Sequence, residues 1–142
     1  DFSGNGRDDI FWRDTLYGAN AIWFMEGISV ESAKFILTVA DTRWNVKTAV
    51  DADTDGRDDL VWRHSEDGDN AIWLMNAEDI VGAGPLDAVS DVDWAIVGGG
   101  NAINGGGAIV WRNPETGENA AWELDGLSIG NSKFLFTIVN ED

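Results

Sequence analysis

The chain has 142 residues, enough for one domain with a core of its own. Its 26 acidic residues against 9 basic ones leave a formal net charge of −17, which excludes nucleic acid and anionic membrane surfaces as partners. It has no cysteine and therefore no disulfide, and its longest apolar runs are far too short for membrane insertion.

In chain order, the first feature is an acidic and polar stretch, Asp1 to Asp9, that turns abruptly into Ile10-Phe-Trp-Arg13. The start at Asp1 rather than Met reads as that of a processed or excised product, which leaves room for a lost export signal. A turn at Gly18 follows, then Asn20-Ala-Ile-Trp23. From there the sequence repeats. Asp9-Ile-Phe-Trp-Arg13 returns as Asp59-Leu-Val-Trp-Arg63 and Ala108-Ile-Val-Trp-Arg112, and Asn20-Ala-Ile-Trp23 returns at Asn70 to Trp73 and Asn119 to Trp122. Trp12, Trp62 and Trp111 lie 50 and 49 residues apart, a period that suits propellers and other repeat arrays.

The middle copy reads as four short strands: Trp44 to Val50, Leu60 to Arg63, Asn70 to Met75 and a weaker one near Ile80. Ser65-Glu-Asp-Gly68 and Pro114-Glu-Thr-Gly117 are turns in equivalent places. Segments such as Ile10-Phe-Trp and Ala71-Ile-Trp-Leu-Met are apolar on both faces, as in sheets covered on both sides. The expected fold is all-β: four-stranded antiparallel blades of a β-propeller, about three in this chain, with a parallel β-helix as the other candidate. Residues 1–142 then form a partial propeller, with units near 1–43, 44–93 and 94–142. Three blades cannot close a ring. The remaining blades come either from a longer parent chain or from several copies of this one.

The stretch Asp51-Ala-Asp-Thr-Asp-Gly-Arg-Asp-Asp59 puts carboxylates at positions one, three, five and nine. That spacing suits Ca²⁺, which takes six to eight oxygens: Asp51, Asp53, Asp55 and Asp59, with the Arg57 carbonyl and water completing the shell. Position twelve is Trp62 rather than the glutamate of an EF-hand, and the alternative is a merely solvated acidic turn. The first copy offers Asp1, Ser3, Asn5 and Asp9 with the Arg7 carbonyl, a weaker set with two carboxylates. The third has Gly100, Ala102, Asn104 and Ala108 and should bind no metal, its glycine-rich Gly98 to Gly107 making the turn instead.

The Asp-x-Asp-x-Asp-Gly-x-x-Asp loop followed by Leu60-Val-Trp-Arg63 and Asn70-Ala-Ile-Trp-Leu-Met75 resembles the FG-GAP/VCBS repeat of integrin α-subunits, secreted microbial propellers and fungal lectins. The literal Phe-Gly…Gly-Ala-Pro signature of that repeat is absent, and Gly82-Ala-Gly-Pro85 is only an echo of it. The resemblance covers essentially the whole chain. It implies a propeller of six to eight blades with structural calcium, secreted or at the cell surface, serving adhesion or recognition of a protein or glycan. The alternative function is a lectin with sugar sites between blades, near Asn20, Trp23, Asn70, Trp73, Asn119 and Trp122. Packing between blades is the competing role for those tryptophans. Arg13, Arg63 and Arg112 are expected to pair with loop carboxylates, and His64, the one histidine, to lie on a blade-edge surface. With no paired nucleophile and base, a non-enzymatic role is expected.

Overall fold

The structure, a computed structural model, describes residues 1–103 and 105–139. Asn104 of the third loop and the last three residues of the third unit lie outside the described residues. The described residues contain no helix, and so none long and apolar enough to cross a membrane. They form three antiparallel sheets, each built from neighbouring strands in sequence.

Strands β1 (Ile10–Arg13), β2 (Asn20–Glu26) and β3 (Ser29–Ile36) make the first sheet, in that order. The second holds β4 (Trp44–Val50), β5 (Asp59–His64), β6 (Asn70–Asn76) and β7 (Asp79–Leu86). The third holds β8 (Ala95–Asn101), β9 (Gly107–Arg112), β10 (Asn119–Asp125) and β11 (Ser128–Phe134). The three share one register. Ile10 pairs with Trp23, Leu60 with Trp73 and Ile109 with Trp122. Bulges recur in step at Phe24/Met25, Leu74/Met75 and Glu123/Leu124.

Four strands per sheet hold for the second and third sheets only. In the first, residues 1–9 fold into the polar loop, and no described strand lies beside β1 where β4 and β8 lie in theirs. The glycine-rich tract also differs from expectation. Gly98 to Gly100 belong to β8 rather than to a turn, because β8 runs hard against β4. A Cβ on Gly99 would stand 2.5 Å from Val50 Cγ1 and 2.6 Å from Thr48 Oγ1, closer than side chains pack. Glycine is there for the close approach.

The sheets stack face to face. One apolar cluster joins Ile22 and Phe24 of the first sheet to Leu60, Trp62 and Met75 of the second. Another joins Val50, Val61 and Ile72 of the second to Ile109, Trp111 and Leu124 of the third. Strand β5 therefore has a sheet on either side and all six of its residues are buried, Leu60, Val61 and Trp62 in apolar packing and Asp59, Arg63 and His64 with hydrogen-bond partners. Each large side chain buried there contributes about 1.5–3 kcal/mol.

Candidate metal centre

The loop before β5 wraps its backbone around its own carboxylates. Asp51 accepts the Asp55 amide at 3.1 Å on Oδ1 and the Gly56 amide at 2.9 Å on Oδ2. Gly56, at φ 86°, turns the chain back. Asp59, fully buried, accepts the Ala52 amide on Oδ2 and the Met75 amide on Oδ1, both at 2.8 Å. Burial raises its pKa to about 7 against the pull of those two amides, and Asp53 and Asp55 push it the same way.

Asp51, Asp53 and Asp59 each place one carboxylate oxygen within 4.8 Å of the others. Ligands bonded at about 2.3–2.6 Å to one ion are at most about 5 Å apart, so the spacing fits a shared hard cation. The donors are all oxygen, which suits Ca²⁺ or Mg²⁺ over zinc. Asp55 stands apart from this trio. Its Oδ1 accepts the Arg57 amide at 2.8 Å and its Oδ2 the Arg57 guanidinium at 3.1 Å.

The first loop repeats the scaffold with fewer charges. Asp1 accepts the amides of Gly4, Asn5 and Gly6, and the Asn5 Oδ1 accepts the Arg7 amide at 2.9 Å. Asp9 accepts the Phe2 amide at 2.9 Å and the Met25 amide at 3.0 Å, as Asp59 does with its counterparts. The Ser3 hydroxyl is buried without a hydrogen-bond partner. In the third loop Gly100 and Ala108 sit in β8 and β9 and Ala102 between them, with no carboxylate among them.

The glycan candidates separate into two groups. Asn20, Asn70 and Asn119 each tie an arginine to a main-chain carbonyl. Asn70 accepts Arg63 Nη1 at 3.2 Å and donates to the Asp87 carbonyl at 2.8 Å; Asn20 and Asn119 do the same with Arg13 and Leu37, and with Arg112 and Phe136. Their arginines were expected to pair with loop carboxylates, but among the described residues they form no ion pair with one. Arg63 donates to the carbonyls of Gly68, Val89 and Asp91, because its position at the strand end faces main chain. Burial lowers its pKa.

Trp23, Trp73 and Trp122 pack against Trp12, Trp62 and Trp111 with ring planes tilted by 53–55° and centroids 4.7–4.8 Å apart. Trp73 and Trp122 also line two matching cavities. One, of 220 Å³, is bounded by Val39, Trp44, Trp62, Ala71 and Trp73. The other, of 270 Å³, has Val89, Trp94, Trp111, Ala120 and Trp122 in the same places. Trp44 and Trp94, 50 residues apart in the sequence, are the third tryptophan of each cavity. His64 is buried rather than at the surface: its ring packs edge-on against Trp44 and its Nδ1 accepts the Asp67 amide at 3.1 Å.

No protein-family profile, curated protein or solved structure matches the chain.

Proposed function

We propose that the chain is a calcium-binding β-propeller module for adhesion or recognition outside the cell, each sheet being one blade and the calcium structural. The observation that carries this reading is the convergence of Asp51, Asp53 and Asp59 oxygens within 4.8 Å at the head of a wholly buried strand. Three carboxylates there repel one another, and a divalent cation would offset that repulsion while pinning the loop. Extracellular calcium modules work at about 10⁻⁴–10⁻³ M, which suits a secreted or cell-surface location. The partner is a protein or a glycan. The role is non-catalytic, a reading supported by the engagement of the single histidine in packing and hydrogen bonds.

Calorimetric titration of the metal-free protein with calcium tests the reading. Uptake at the second loop should be tightest, with weaker uptake at the first. Asp53→Ala removes one of the three convergent carboxylates and should abolish the tight phase. Calcium at about a hundredfold excess over its dissociation constant should stabilise the fold by about 2.7 kcal/mol. Absence of any heat or melting shift leaves the loop as a solvated acidic turn.

A lectin is the second reading, favoured by the two tryptophan-lined cavities. Indole faces stack on the apolar face of a pyranose ring. Selective binding on a glycan array, lost in Trp122→Ala, is the expected result; a blank array removes this alternative.

A further inference from the structure

The two joints between sheets are built alike. In each, a strand-end arginine of one sheet lies over a tryptophan of the next: Arg13 is 5.1 Å from the Trp62 ring and Arg63 is 4.9 Å from the Trp111 ring. Each joint also has a hook. The Ala77 amide donates to the Phe2 carbonyl at 2.8 Å, and the Gly126 amide donates to the Ala52 carbonyl at 2.9 Å. The tryptophans enclosed in this way are 2 % and 1 % exposed.

Both halves of the same joint lie open at opposite ends of the stack. Residues alternate in direction along a strand, and Phe11 faces the second sheet, so Ile10 and Trp12 face away from it. Trp12 holds the position of Trp62 and Trp111 but is 47 % exposed, with no arginine over its ring among the described residues. Gly27, in register with Ala77 and Gly126, presents the hook amide on the same sheet. On the far face of the third sheet, Val110 and Arg112 hold the positions of Val61 and Arg63, and Val110 is 36 % exposed.

We infer that these two faces dock head to tail on a second copy of this chain, with Arg112 of one copy over Trp12 of the other. The joint already occurs twice within the molecule, and its two complementary halves stand on the outer faces of the first and third sheets. The inference deepens the reading of the chain as a propeller module by naming its partner. Glu123 stands on the third sheet where Phe24 and Leu74 stand on the others, so this joint is less apolar than the internal two. The net charge of −17 on each copy opposes it further. The association is therefore reversible, and salt strengthens it.

Sedimentation of the calcium-loaded chain over a range of concentration and salt provides the test. The mean mass should rise above that of one chain as either increases. Ile10→Lys spoils one half of the joint and Val110→Lys the other; both sites are surface positions, and each variant alone should stay monomeric. Mixed in equal amounts, the two variants retain one intact half each and should form a dimer that grows no further. A wild-type chain that stays monomeric, or a mixture that does, overturns the inference. So does assembly that survives either single substitution. Calcium uptake is read separately, so a monomer that binds calcium refutes the joint and leaves the proposed function standing.

Discussion

Arg63 shows what a single residue does in this chain. Its guanidinium spans three backbone carbonyls and the Asn70 side chain, joining the β5–β6 turn to the segment after β7. A lysine is a point charge and cannot reach four acceptors at once. Arg63→Lys should therefore destabilise the protein by about 2–3 kcal/mol, seen as a lower denaturation midpoint without a change of slope. The recurrence of Arg and Asn was plain in the sequence, but their partners were not, because main-chain carbonyls carry no residue identity. The acidic loop was more legible. Its alternating aspartates belong to one turn, and Asp51, Asp53 and Asp59 come together. The turning of Asp55 to Arg57 depends on side-chain rotamers that spacing does not encode.

The strands were legible in proportion to their burial. β5 and β6 sit between neighbours and carry the apolar signal on both faces. β3, β7 and β11 are the last strands of their sheets, and β3 is exposed along most of its length. Such a strand needs few apolar residues, so its sequence barely differs from a loop. Pro85 marks β7 as an edge, since an interior strand cannot lose its amide. The glycines of β8 are the opposite case, conspicuous in sequence but misleading there. Only a neighbouring strand explains them, and it acts selectively: Gly99 is pressed against Val50 and Thr48, while a Cβ on Gly98 would meet nothing within 4 Å. Gly99→Val should cost about 1–3 kcal/mol or more through overpacking, and Gly98→Ala should be nearly neutral. Thermal melting of the two variants side by side checks the contrast.

At the scale of the whole molecule, the sheets are alike in register, in bulges and in the joints between them. The period of 50 and 49 residues between tryptophans makes that repetition legible in the sequence itself. The stacking order, and the two unmatched faces it leaves, depend on which side of each strand is covered, and a strand apolar on both faces does not encode that. Stability in such an array is roughly a sum of terms within sheets and between nearest neighbours. Removing one side chain from a joint, as in Trp111→Ala, should cost about 3–5 kcal/mol. Hydrogen exchange should show that loss concentrated in the second and third sheets, with the first little changed.

The arginine staples have a mechanical consequence. Each ties together residues 26 and 28 positions apart within one repeat, closing that repeat on itself. Tension applied to the two chain ends therefore reaches the repeats in series, and each can rupture while its neighbour holds. Pulled in a force spectrometer, the molecule should lengthen in discrete jumps. A full four-stranded repeat of about 50 residues should release about 165–180 Å at each one, at about 3.3–3.6 Å per extended residue. The chain would behave under load as a row of fuses, shedding one sheet at a time while the remainder keeps its grip.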